Sequence, residues 1–179
     1  MQANAILAKR ASGAMFLTFF GSAWMLFGAM HAYPSTWLPA LLALCAGSVI
    51  FLAAYQVYRS NRRAIEPENQ DSKKISNRFH LINCAQWLMA IVAANVLINL
   101  GKPEWVVVAV MFIVGLHFVP LAHLFRHQPH YILAVALMGW ALIYPLCLSQ
   151  GPANPLGSLG AGLILWSAAL NSLRKGWQR

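Results

Sequence analysis

Acidic side chains are nearly missing from this chain. It has four Asp and Glu among 179 residues, against 13 Lys and Arg. Glu66, Glu68 and Asp71 fall in one polar segment, and Glu104 stands in a short turn. No long apolar stretch holds a carboxylate. That excludes an intramembrane aspartyl protease dyad and a proton or sodium site driven by carboxylates. No Lys stands in the middle of an apolar stretch either, which excludes a retinal Schiff base. A Gly-x-Ser-x-Gly nucleophile, a Cys-x-x-Cys pair and a P-loop are also missing, so no catalytic residue is assigned, and the balance leans against an enzyme without excluding one. Cysteine is scarce. Cys45, Cys84 and Cys147 show no metal-binding spacing. They are expected at three different depths, whereas a disulfide needs Cα atoms within about 7 Å. They read as small buried hydrophobes.

Apolar side chains are abundant. They make up 59% of the residues, with 9% charged, where a soluble domain has about 45–50% and about 25%. The excess is arranged in long blocks, and a membrane-spanning helix needs about 20 mostly apolar residues. Six such spans fit, at about 12–32, 36–58, 78–100, 105–125, 131–149 and 156–173, with a polar loop at 59–77. The prediction is an all-α, polytopic membrane protein: a single bundle of six transmembrane helices covering 1–179. The first apolar run extends to Ala32, beyond the 7–15 residues of a signal-peptide core, so it is expected to be a retained span. Trp37, Tyr55 and Tyr58 bracket the second span as interfacial aromatic belts.

An even number of spans puts both termini on one side. That side then holds every Lys and Arg except Lys102. By the positive-inside rule it is cytoplasmic, and the expected location is a bacterial inner membrane. The formal net charge of +9 does not point to nucleic acid. The basic residues cluster at span ends, where topology signals and anionic lipid headgroups account for them. The bilayer and a small solute are the expected partners, and a homo-oligomer is compatible with the chain. The mixed-charge loop at 59–77 lacks apolar periodicity and reads as solvated.

Polar groups inside the spans are the candidate functional residues, because amides and ionisable groups in hydrocarbon must find partners. The third span carries His80, Asn83, Gln86, Asn95 and Asn99. The fourth carries His117 and His123 with Pro120 between them. Pro120 has no N–H for the carbonyl of Leu116 and crowds that turn, leaving a free carbonyl beside His117. On a helical wheel His123 and His127 share a face with Pro120, whereas His117 lies about 60° away. The three histidines therefore form no single ligand row, and no metal site is assigned. His117, near the membrane centre, is expected to pair with the third-span amides. A recurring Trp ten residues before a Gly (Trp37/Gly47, Trp105/Gly115) hints at related hairpins.

The leading functional expectation is a small-solute permease, or a subunit of one, with His117, Asn83, Gln86, Asn95 and Asn99 binding the solute between the third and fourth helices. With no buried acid, that solute is neutral or anionic, or coupling runs through titration of His117. A haem-binding redox protein using His80 and His123 as axial ligands is one alternative. A lipid-interface enzyme using His123, His127 and His130 is another. The last is a non-catalytic scaffold or immunity-type protein in which the polar residues only pack helices.

Overall fold

The computed structural model describes residues 2–64 and 70–177. Among them are six long helices: α1 (Gln2–Ala32), α2 (Leu38–Asn61), α3 (Gln70–Asn99), α4 (Val106–Phe125), α5 (Pro129–Cys147) and α6 (Leu156–Trp177). No strand occurs among the described residues. Each helix holds a stretch long and apolar enough to cross a bilayer. The protein is a multi-pass integral membrane protein of the all-α class.

Two helices begin well ahead of the expected spans. α1 starts at Gln2, because Ala3, Ala5, Ala8 and Ala11 are strong helix formers, and Ala8 and Ala11 are buried. α3 starts at Gln70, so the second half of the segment read as a solvated loop is a polar helical lead into the span. Glu66, Pro67 and Glu68 lie outside the described residues. The cysteines also depart from expectation. Cys45, Cys84 and Cys147 are free and exposed, because each sits on an outward face of its helix.

The chain divides into two compact units, residues 1–67 with 158–179, and residues 68–157. The first is built from α1, α2 and all but the first two residues of α6. Its core is mostly alanine: Ala14, Ala29, Ala43, Ala54, Ala161 and Ala169 are all buried. Lipid offers no hydrophobic force between helices, so close backbone approach must supply the packing. Gly21 and Gly162 do this reciprocally. A Cβ on Gly162 would stand 2.9 Å from the Gly21 carbonyl oxygen, and one on Gly21 would stand 3.2 Å from the Gly162 oxygen. Trp166 closes the packing by donating its indole N–H to Ser22 Oγ at 3.2 Å. The hydroxyls of Thr18 and Ser22 donate to the carbonyls of Ala14 and Thr18, both at 2.8 Å, so neither brings an unpaired donor into the core.

The second unit is built from α3, α4 and α5. Its core uses larger side chains, including Met111, Leu121, Leu137 and Tyr144. α3 packs on α4 and α4 on α5, each pair joined by a short turn and therefore antiparallel. At its far end the chain is tied down by two hydrogen bonds. Trp140 donates its indole N–H to the Gly157 carbonyl at 2.9 Å, and the Tyr144 hydroxyl donates to the Pro152 carbonyl at 3.2 Å.

Candidate functional site

The second unit holds two of the most polar buried side chains in the protein, Gln86 on α3 and His117 on α4. They are 8% and 6% exposed, where the neighbouring helix faces point outward. Gln86 lies 13 residues before Asn99 at the end of α3, and His117 lies 11 residues after Val106 at the start of α4. At about 1.5 Å per residue both stand roughly 17–20 Å from the turn joining the two helices. They occupy the same depth on neighbouring antiparallel helices.

His117 Nδ1 lies 2.7 Å from the carbonyl oxygen of Val114. A carbonyl can only accept, so Nδ1 carries the proton, and in the neutral ring Nε2 is left as an acceptor. The partner is not the Leu116 carbonyl that Pro120 leaves free. The side chain folds back one turn toward the helix N-terminus, as helical side chains do, and Val114 is the carbonyl within reach. Gln86 presents a second acceptor. Its Oε1 is buried and has no hydrogen-bond partner, alone among the buried side-chain polar atoms of the described residues. A buried orphan of this kind costs about 1–3 kcal/mol.

A row of rings connects His117 to the end of α4. The His117 and Phe118 ring centroids are 4.4 Å apart, Phe118 and His130 are 5.7 Å apart, and His130 and His127 are 4.8 Å apart. Phe125 and Phe79 extend the cluster to α3, with Phe79 and Phe125 5.9 Å apart. Sequence reasoning placed His130 in a turn and did not join it to His117. The missed signal is the shortness of the α4–α5 connection, which returns the first turn of α5 onto the last turns of α4. His127 also departs from its wheel position. Arg126 adopts a left-handed conformation with φ of 48°, which ends α4 and turns His127 away from the face of His123 toward His130.

The remaining expected residues do not share this interior. Asn83 is half-buried and donates its Nδ2 to the Phe79 carbonyl at 2.9 Å. Asn95 is exposed and donates to the Ile91 carbonyl at 2.8 Å. Asn99, His80 and His123 are exposed. Of the five residues expected at a solute site, Gln86 and His117 are buried at about the same distance along their helices from the α3–α4 turn, with Asn83 one helical turn from Gln86. Asn95 and Asn99 lie on the outer surface. No group of three or more His, Cys, Asp or Glu residues suited to a metal ion occurs among the described residues.

The arrangement is uncharged and rich in acceptors. Gln86 Oε1 and the His117 Nε2 are both acceptors, and Gln86 Oε1 has no donor opposite. What complements them is a molecule bringing its own N–H or O–H groups.

A family model described as "Family of unknown function (DUF7010)" matches residues 2–171. Comparison with curated proteins and with solved structures gave no match.

Proposed function

Since the chain belongs to the DUF7010 family, whose function is unknown, its role has to be argued from its own residues, and we propose that it is a small-solute permease or a subunit of one. The solute site lies between α3 and α4 and is centred on Gln86 and His117. The observation that carries this reading is the unpartnered Gln86 carbonyl, at the depth of the buried His117. A bundle that only needed packing gains by placing leucine at position 86, because an orphaned buried acceptor is destabilising. Retaining the amide makes sense if a passing solute donates to it.

The solute is small and uncharged, and it carries hydrogen-bond donors. No acid or fixed cation stands at this depth to balance a charge, and an ion without a partner in hydrocarbon is costly. The ring row from His117 through Phe118 to His130 and His127 lines the route on one side. In this reading the membrane is a bacterial inner membrane. The termini and the basic loops face the cytoplasm, where the anionic headgroups attract them.

Proteoliposomes challenged osmotically with urea, glycerol or acetamide test the proposal by light scattering. Flux of at least one solute is expected, and His117→Ala and Gln86→Leu each reduce it about tenfold, the worth of roughly one lost hydrogen bond. Gln86→Leu is expected at the same time to raise thermal stability by about 1 kcal/mol or more, because it removes the orphan. Both variants retaining full flux would overturn the reading.

A further inference from the structure

α3 is the least buried of the six spans, with 11% of its most apolar window buried. Among its many outward residues, one row follows a heptad pattern. Leu81, Cys84, Leu88, Ile91, Asn95 and Ile98 recur at alternating spacings of three and four. The four aliphatic members are 57–70% exposed, and Cys84 and Asn95 are exposed as well. This is an a/d heptad seam, the spacing that packs two helices side by side over several turns. The 3.5-residue repeat drifts about 20° per heptad on a straight helix, which a partner helix accommodates by left-handed supercoiling.

One member of the seam is polar. Asn95 uses one N–H on the Ile91 carbonyl, leaving its Oδ1 and second N–H without a partner among the described residues. It lies four residues before the end of α3, about 6 Å along the helix and inside the apolar segment. An unpaired amide facing hydrocarbon is unfavourable, so the surface calls for a partner with a polar group at that depth.

We infer that α3 is a homodimerisation helix, with the Leu81–Ile98 seam packed against the same seam of a second copy of this chain. Two copies inserted the same way in one membrane are related by a twofold axis along the membrane normal. That symmetry makes the two α3 helices parallel and in register, so each seam residue meets itself. Asn95 then faces Asn95. An amide is self-complementary, since each side supplies one donor and one acceptor. A polar residue at a single a position is also the device that fixes register and partner number in coiled coils. A different membrane protein would have to supply its own polar group at the matching depth, whereas a second copy brings it by symmetry. This inference is independent of the proposed solute site.

Cys84 supplies the test. It lies in the same seam, so in the dimer its thiol faces its counterpart across the axis. In the full chain with Cys45→Ser and Cys147→Ser, reconstituted in lipid vesicles, copper–phenanthroline oxidation is expected to yield a covalent dimer. Restoring Cys45 and Cys147 while introducing Cys84→Ser is expected to abolish it. Energy transfer between labelled copies, followed as they are diluted in lipid, reads the association itself. Asn95→Ala is expected to weaken it about 3- to 20-fold, the range for a membrane hydrogen bond, and Asn95→Gln to restore part of the loss. Leu146→Ala, on the exposed surface of α5, is expected to leave it unchanged. Three results would overturn the inference. One is a chain that stays monomeric at every protein-to-lipid ratio without Cys84 cross-linking. Another is cross-linking through Cys45 or Cys147 instead. The third is association that Asn95→Ala does not weaken.

Discussion

A methyl group added at Gly115 would stand 2.8 Å from Met138 Cγ and 3.0 Å from the Met138 backbone nitrogen. The first neighbour can swing away, but the second cannot without moving α5. Gly115→Ala is therefore expected to destabilise the protein by about 1–3 kcal/mol, measured as a lower thermal midpoint in detergent. Gly139→Ala meets nothing within 4 Å and is expected to be neutral or stabilising by up to about 1 kcal/mol. At this scale the sequence was only partly legible. The position of His117 in the middle of a long apolar helix followed from hydropathy and span length. The side to which Asn83, Gln86, Asn95 and Asn99 point did not follow. A wheel gives relative directions only, and lipid and protein core are both apolar, so an apolar face does not reveal which way is inward. The partner of His117 was hidden for a different reason. Whether the ring reaches Val114 or Leu116 depends on its rotamer, not on where Pro120 removes an N–H.

Helix existence was legible throughout, and several helix ends fell within a residue or two of expectation, but the starts of α1 and α3 did not. α1 and α3 run beyond their apolar blocks because alanine and polar helix formers continue a helix that hydropathy alone would stop. Among the described residues, the two non-glycine residues with positive φ sit in connections, Arg126 with φ of 48° after α4 and Gln150 with φ of 73° after α5. Neither is a residue type that announces a left-handed turn, and the cap at Arg126 is what upset the wheel relation of His123 and His127. A β-carbon in this region is strained by about 1–2 kcal/mol, partly offset by the greater chain entropy that glycine loses on folding. Gln150→Gly is therefore expected to raise stability by about 0.5–1 kcal/mol, read as a higher thermal midpoint with no change in helical content. A lower midpoint would mean that the Gln150 side chain contributes more than its backbone strain removes.

For the whole molecule, the one-sided distribution of Lys and Arg makes a sharp prediction about orientation. Green fluorescent protein fused after the last helix is expected to fluoresce in bacterial cells. Alkaline phosphatase inserted at Lys102, in the α3–α4 turn, is expected to be active. An active phosphatase at the C-terminus would put the basic side outside. The grouping of helices was not legible. The Trp–Gly spacing hinted at hairpins, whereas the compact units hold three helices each, α1 and α2 with α6 in one and α3 to α5 in the other. In lipid the choice of neighbour is made by small-residue surfaces such as Gly21 and Gly162. These carry no hydropathy signal and do not identify each other along the chain.

That grouping bears on biosynthesis. The α3–α5 unit is contiguous in sequence, so the ribosome delivers all of it by the first two residues of α6. The other unit cannot be completed in the order it is made. α1 and α2 enter the bilayer first, but the helix that brings Gly162 and Trp166 against Gly21 and Ser22 arrives after all the others. Until then the glycine-lined surface of α1 must be kept from wrong neighbours, by the insertion machinery or by lipid. Slow or interrupted synthesis of the last helix should therefore expose the first two to quality-control proteolysis while the middle three stand complete.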